Sequence, residues 1–199
     1  ISPAGVGDVV SGANGYYVKV TGAGPYSTNS VTNSLAFVAA KNLIYSGSGA
    51  WDLNTSASWY DSTFSTMLTF NYGDSVTFDD NGGGGIVNLN DSYLSASSVK
   101  VSHTGGFYTF QGTGSFAGPG SLIYDGSGQL TINNANTYTG GTVISNANAN
   151  LRLQDLNGLG TGPVTLAKAG GKMEVLTTGG SSSGIQGDVV VKDDFTILF

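Results

Sequence analysis

The residues able to do acid–base chemistry are few and far apart. Carboxylates stand at Asp79-Asp80, Asp125, Asp155, Glu174, Asp188 and Asp193-Asp194. Glycoside hydrolysis needs two carboxylates facing each other across a cleft. No pair here is set opposite another by its spacing, so these residues read as solvated strand and corner positions. Arg152 lies between Leu151 and Leu153 and alternates outward on a strand. His103, the single histidine, sits at a strand end before Gly105-Gly106 and reads as a surface residue. With one histidine and no cysteine, a nitrogen- or sulfur-based metal site lacks its ligands. Asp79-Asp80-Asn81 and Asp193-Asp194 offer the oxygens that Ca²⁺ takes. Neither follows the calcium-loop patterns, and Asp and Asn suit corners through bonds to their own backbone. Gly82–Gly85 lacks the Lys-Ser/Thr and the helix of a phosphate loop. The expectation is therefore no catalytic residue, no cofactor and no metal.

Aromatic residues supply the other possible chemistry. Trp51 and Trp59, with Tyr60 and Tyr72, could stack on a sugar. At the start of a regular series of strands, large aromatics more often seal the end of a core. Sealing is the favoured reading, and glycan stacking on Trp51 and Trp59 is the alternative. Asn54-Thr55-Ser56 and Asn90-Asp91-Ser92 fit the N-glycosylation sequon.

What must position these side chains is a chain of short strands. Of 199 residues, 39% are hydrophobic and only 10% charged, and the net charge is −6. Ten Tyr, nine Phe and abundant Val, Ile and Thr favour extended chain. The 32 glycines follow no collagen period and lie at the ends of apolar runs. Basic residues are too few and too dispersed for phosphate neutralisation, which argues against nucleic acid and anionic membrane surfaces as partners. No run reaches the length of a transmembrane helix. The start on Ile1-Ser2-Pro3-Ala4 suggests a processed chain, with a signal peptide removed.

Residues 1–48 are the least regular and read as an N-terminal cap or assembly segment. Within them Tyr16–Val20 suits a strand, and Leu35–Lys41 a buried strand or a helical turn. Ser46-Gly47-Ser48-Gly49 marks the boundary to a body at 49–199. There, apolar runs such as Val76–Phe78, Ser98–Val101, Leu122–Tyr124, Thr142–Ile144 and Val164–Leu166 alternate with Gly/Asn corners. Thr142 to Val164 and Leu151 to Met173 are each 22 residues apart. That period is one coil of a parallel β-solenoid, stacked strand on strand. A β-sandwich, the alternative, has no reason to keep it.

Asn136-Thr137-Tyr138-Thr139-Gly140-Gly141-Thr142, then Leu151, then Leu159-Gly160-Thr161-Gly162-Pro163-Val164-Thr165-Leu166 resemble the autotransporter-associated β-strand repeat. Gly126–Ile132 resembles its lead-in. Trp51, Trp59 and Gly73-Asp74-Ser75-Val76-Thr77-Phe78-Asp79-Asp80 resemble the segment that opens such regions. The resemblance covers roughly residues 51–170. It implies a right-handed parallel β-helix in a secreted or surface-exposed bacterial protein, with no shared catalytic residues.

The expected role is that of a non-catalytic extracellular structural subunit. The apolar strand Phe195–Phe199 carries no polar cap. It implies either a longer solenoid or a covering subunit, and Phe195, Ile197, Leu198 and Phe199 are the expected contacts of a homopolymer. An adhesin or glycan-binding passenger is the alternative, and a polysaccharide-degrading enzyme the third possibility.

Overall fold

A computed structural model describes residues 10–11, 16–21, 34–47, 49–176 and 184–199, with side chains from residue 39 onward. Near the N-terminus, β1 (Val10–Ser11), β2 (Tyr16–Thr21) and β3 (Ser34–Ala39) form a three-stranded antiparallel sheet. Of Leu35–Lys41, the part to Ala39 thus resolves as strand, and the segment read as an irregular cap carries regular pairing.

β4 (Asn42–Tyr45) and β5 (Ala50–Trp51) open the solenoid, so its first coil begins ahead of the Ser46–Gly49 boundary. β6 (Trp59–Asp61) and β7 (Thr66–Leu68) form a hairpin inserted in that coil. Then strands come in pairs, one pair per coil: β8 (Ser75–Phe78) and β9 (Gly85–Leu89), β10 (Ser98–Val101) and β11 (Phe107–Gln111), β12 (Ser121–Tyr124) and β13 (Gln129–Asn133). The series ends with β14 (Thr142–Ile144) and β15 (Asn150–Leu153), β16 (Val164–Leu166) and β17 (Lys172–Val175), β18 (Val189–Val191) and β19 (Thr196–Leu198). The even-numbered members and the hairpin make a nine-stranded sheet, and the odd-numbered ones a seven-stranded sheet. Every pairing between coils is parallel. This is a right-handed parallel β-helix.

The alternation in the sequence explains the layering. β8, β10 and β12 share one burial pattern, out-in-out-in, so Val76, Val99 and Leu122 stack inward while Thr77, Lys100 and Ile123 stack outward. A third wall has little regular strand. It is held by backbone bonds from coil to coil, such as Thr137 N–H to Phe116 O and Thr161 N–H to Tyr138 O, both 2.9 Å. The three walls enclose one continuous apolar core from Leu43 to Met173.

The residues that carry the repeat resemblance have separate physical tasks. Asn136 is buried and staples three coils. Its Oδ1 accepts from Phe116 N–H at 2.9 Å on one side, and its Nδ2 donates to Gly158 O at 2.8 Å on the other. Tyr138 stacks on Phe116 at 4.3 Å and shares a 2.6 Å hydrogen bond with Thr142 Oγ1. Gly141 turns the corner at φ 87°, where a Cβ would collide with the Pro163 carbonyl. Val164 and Leu166 point inward and Thr165 outward.

Candidate functional site

The carboxylates singled out in the sequence are dispersed along the coil, each with structural work. Asp79 caps a short 3₁₀ turn at Asp80–Gly82 through Asn81 N–H. Asp80 accepts from both Thr104 N–H and Thr104 Oγ1 at 2.8 Å, one coil later. These bonds hold its carboxyl below the usual range. Asp155 caps the turn at Leu156–Leu159 in the same manner as Asp79. Asp125 pairs with Lys100 at 3.0 Å, and Glu174 with Arg152 at 3.1 Å and with Lys172. All three ion pairs lie on the partly solvated outer face, where such contacts contribute little. Asp188, Asp193 and Asp194 are exposed. Among the described residues no group of three or more His, Cys, Asp or Glu side chains gathers as a metal site.

The structure brings together one acidic pair that sequence reasoning missed. Asp61 and Asp74 are both buried, and Asp61 lines an open groove of about 320 Å³ together with Lys41, Asn42, Thr63 and Phe64. Burial raises the Asp74 pKa against the lowering effect of its backbone bonds, and the neighbouring Asp61 charge adds to the rise. Glycoside chemistry needs two carboxylates facing one groove. Asp74 is not available for it. The residue is 0% exposed, and its two oxygens accept from Lys41 N–H at 2.8 Å and Asn71 N–H at 2.9 Å. It ties the start of β4 to the third wall. In the sequence, Gly73-Asp74 looks like any other corner; only the extra length of the first coil hinted at something folded back upon it.

Trp51 and Trp59 are both 0% exposed, which removes them as a glycan-stacking platform. They meet edge to face at 5.5 Å and pack with Tyr45, Phe70 and Phe78 as an aromatic plug in the first coils. The sealing role is the one the structure supports. Tyr72 and Tyr93 meet edge to face at 6.0 Å; Tyr93 is half-exposed and Tyr72 packs partly buried against the core.

His103 is corrected from a surface residue to a core residue, 1% exposed. Its Nε2 lies 3.1 Å from Gln129 O, its ring meets Tyr108 edge to face at 4.8 Å, and its Nδ1 is buried without a partner. Nε2 therefore carries the proton and the imidazole is neutral. Burial lowers its pKa, only partly offset by the Gln129 carbonyl and the Asp80 charge. Room for the ring comes from the next coil: a Cβ on Gly128 would collide with it. The signal was Gly126-Ser127-Gly128, one coil downstream of His103. Gly82, inside the glycine run, is likewise a packed corner against Tyr45 and Tyr108.

At the last coil, the expected assembly residues divide. Phe195 and Ile197 are partly buried and pack on the core, with the Phe195 ring over Gly171. Leu198 is 44% and Phe199 99% exposed, and Val189, Val190 and Val191 of β18 are 41%, 43% and 53% exposed. No family model, curated protein or solved structure matches the chain.

Proposed function

We propose that this chain is a non-catalytic structural unit of an extracellular bacterial surface protein, a β-helical rod that joins end to end with further copies. The observation that carries the reading is how the reactive-looking side chains are used. Asp74, Asp80, Asp91 and Asn136 each spend their polar atoms on backbone or hydroxyl partners in a neighbouring part of the coil. Asp91, for example, accepts from Leu53 N–H at 2.7 Å, 38 residues away. Groups so engaged serve the scaffold; moving Asp74 or Asn136 to meet a substrate would leave partly or fully buried donors unpaired. The repeat-like segments at 136–142 and 159–166 support an extracellular setting. Sedimentation velocity over a concentration series tests the proposal. Species larger than a monomer, growing with concentration, are expected; a single monomeric species throughout overturns the joining role.

A glycan-binding passenger is a second reading, favoured only by the Tyr72–Tyr93 pair. Saturable binding on a glycan array, lost in Tyr93→Ala, would support it, and binding unchanged in that variant would remove it.

A further inference from the structure

We infer that His103 is an acid-operated latch between two successive coils. On taking up a proton its ring leaves the core toward Asp80, and the corner Ser102–Gly106 opens while the sheets on either side stay paired. This goes beyond the structural role above and does not depend on whether copies join.

The placement of the ring carries the argument. His103 is the chain's single histidine, so it is the one side chain whose ordinary pKa lies near neutrality. It sits in the corner between β10 and β11 and is 1% exposed. Its contacts join that coil to the next. Nε2–H donates to Gln129 O at 3.1 Å, and His103 O accepts from Gly128 N–H at 3.1 Å. Neither Gly126 nor Gly128 has room for a Cβ against it. Nδ1 is buried without a partner. A proton on Nδ1 adds a donor that has no acceptor, on a charge held away from water. Both are costly in a core, so the imidazolium has no stable place in the closed corner.

The groups around the ring decide where the proton takes it. From the preceding coil comes Asp80, whose charge bears on His103. Its carboxyl accepts from Thr104 N–H and Oγ1 and, at 3.4 Å, from Gly105 N–H. The Thr104 bonds hold it below the usual range, so it stays charged while the histidine titrates. From β11 comes Tyr108, whose hydroxyl donates to Asp79 O and whose pKa burial pushes up to about 12, so it stays neutral. The Asp79 carboxylate is occupied by Asn81. From the next coil come the Gln129 carbonyl and, in its corner, Asp125, which pairs with Lys100. The corner Ser102–Gly106 has no other charged side chain. Asp80 is thus the anion that acts on the ring, and its bonds from Thr104 are the ones the imidazolium would replace.

The corner also has the means to move. Gly105 and Gly106 follow the histidine, a Cβ on either would meet open space, and Gly106 already stands at φ 69°. The remaining ties are exposed to water: Asp80 with Thr104, and Ser127 Oγ donating to Thr104 O at 3.1 Å. β10, by contrast, is paired along its whole length with β8 on one side and β12 on the other. Opening therefore stops at the strand end. The closed corner has the lowered His103 pKa. It is fully shut above the ordinary histidine value and loosens as pH falls from there to the lowered one. Within that window each pH unit raises the open-to-closed ratio about tenfold.

Amide exchange followed by NMR on the purified chain tests the latch. Between pH 7 and pH 5, after allowance for intrinsic exchange rates, protection at the Thr104 and Gly128 amides should fall about tenfold or more. Protection across β10 should be kept. The ring ¹⁵N shifts should report the Nε2–H tautomer at pH 7 and titrate in step with that loss. His103→Gln keeps a donor for Gln129 O but cannot take the proton, and should abolish the pH-dependent loss. Asp80→Asn should move the opening to lower pH, and an unmoved midpoint would remove Asp80 as the receiving group. Protection lost across β10 together with the corner would mean general unfolding and overturn the inference. So would corner protection that is unchanged while the ring titrates, or a loss that persists in His103→Gln. The wild-type exchange and ring shifts decide the matter even where a variant fails to fold.

Discussion

Replacing Asn136 by Ala is the sharpest test of how the coil is held. The change removes an acceptor from Phe116 N–H and a donor from Gly158 O, both within the buried wall. Asn134 Nδ2, which also donates to Asn136 Oδ1, keeps a 3.1 Å bond to Gly114 O and is only partly orphaned. Each buried group left unpaired costs about 1–3 kcal/mol, so the two main losses together give roughly 2–6 kcal/mol. Against a whole-domain stability of about 5–15 kcal/mol, that is a large fraction. For a chain of this length about 2–4 °C of Tm accompanies each kcal/mol, and a fall of roughly 5–20 °C follows. Thermal unfolding followed by far-UV circular dichroism measures it, with hydrogen exchange at the Phe116 amide as the local readout, since stacked coils need not unfold as one unit. Asn136→Asp keeps the acceptor but loses the donor, and should fall between wild type and Ala if burial of the new charge is relieved by protonation. A loss below about 0.5 kcal/mol for Asn136→Ala, the size of an ordinary surface change, would refute the stapling argument.

Three further outcomes follow from the same geometry. His103 has a lowered pKa in the fold, so the unfolded chain binds its proton first as pH falls; stability is complete above the ordinary histidine pKa and declines as pH drops through the lowered folded value. Thermal melts at pH 7 and pH 5 should show this loss, and His103→Gln should reduce the pH dependence; an unchanged dependence would exclude His103 as its source. Gly112→Ala places a Cβ about 2.5 Å from Leu89 O at φ 112°, whereas Gly83→Ala at φ 70° meets open space. Urea unfolding should show the first to be much the more costly, with the second near the ~1–2 kcal/mol of left-handed strain alone. Trp51→Ala empties the aromatic plug and should cost about 3–5 kcal/mol, while leaving any glycan binding that survives purification unaltered.

Much of the coil is legible in the sequence because two signals coincide there. Apolar alternation in Ser98–Val101 and Leu122–Tyr124 sets which face is inward, and the recurring Gly/Asn corners set the period. The hairpin β6–β7 is less legible: the alternation of Trp59-Tyr60-Asp61 marks a buried face but carries no information on strand direction. The third wall escapes pattern reading for another reason. Its backbone bonds join irregular segments, and residues such as Asn134 and Asn136 look like loop residues although they are buried. His103 and the Asp61–Asp74 pair were hidden because their burial depends on a neighbouring coil, through the missing Cβ of Gly128 and the fold-back of the hairpin. Composition indicated that Trp51 and Trp59 mattered, and packing decided that they seal the core.

Sedimentation velocity of the purified chain over a rising concentration series tests the joining of copies most directly. Joining predicts species larger than a monomer whose share grows with concentration. A single monomeric species at every concentration would contradict it.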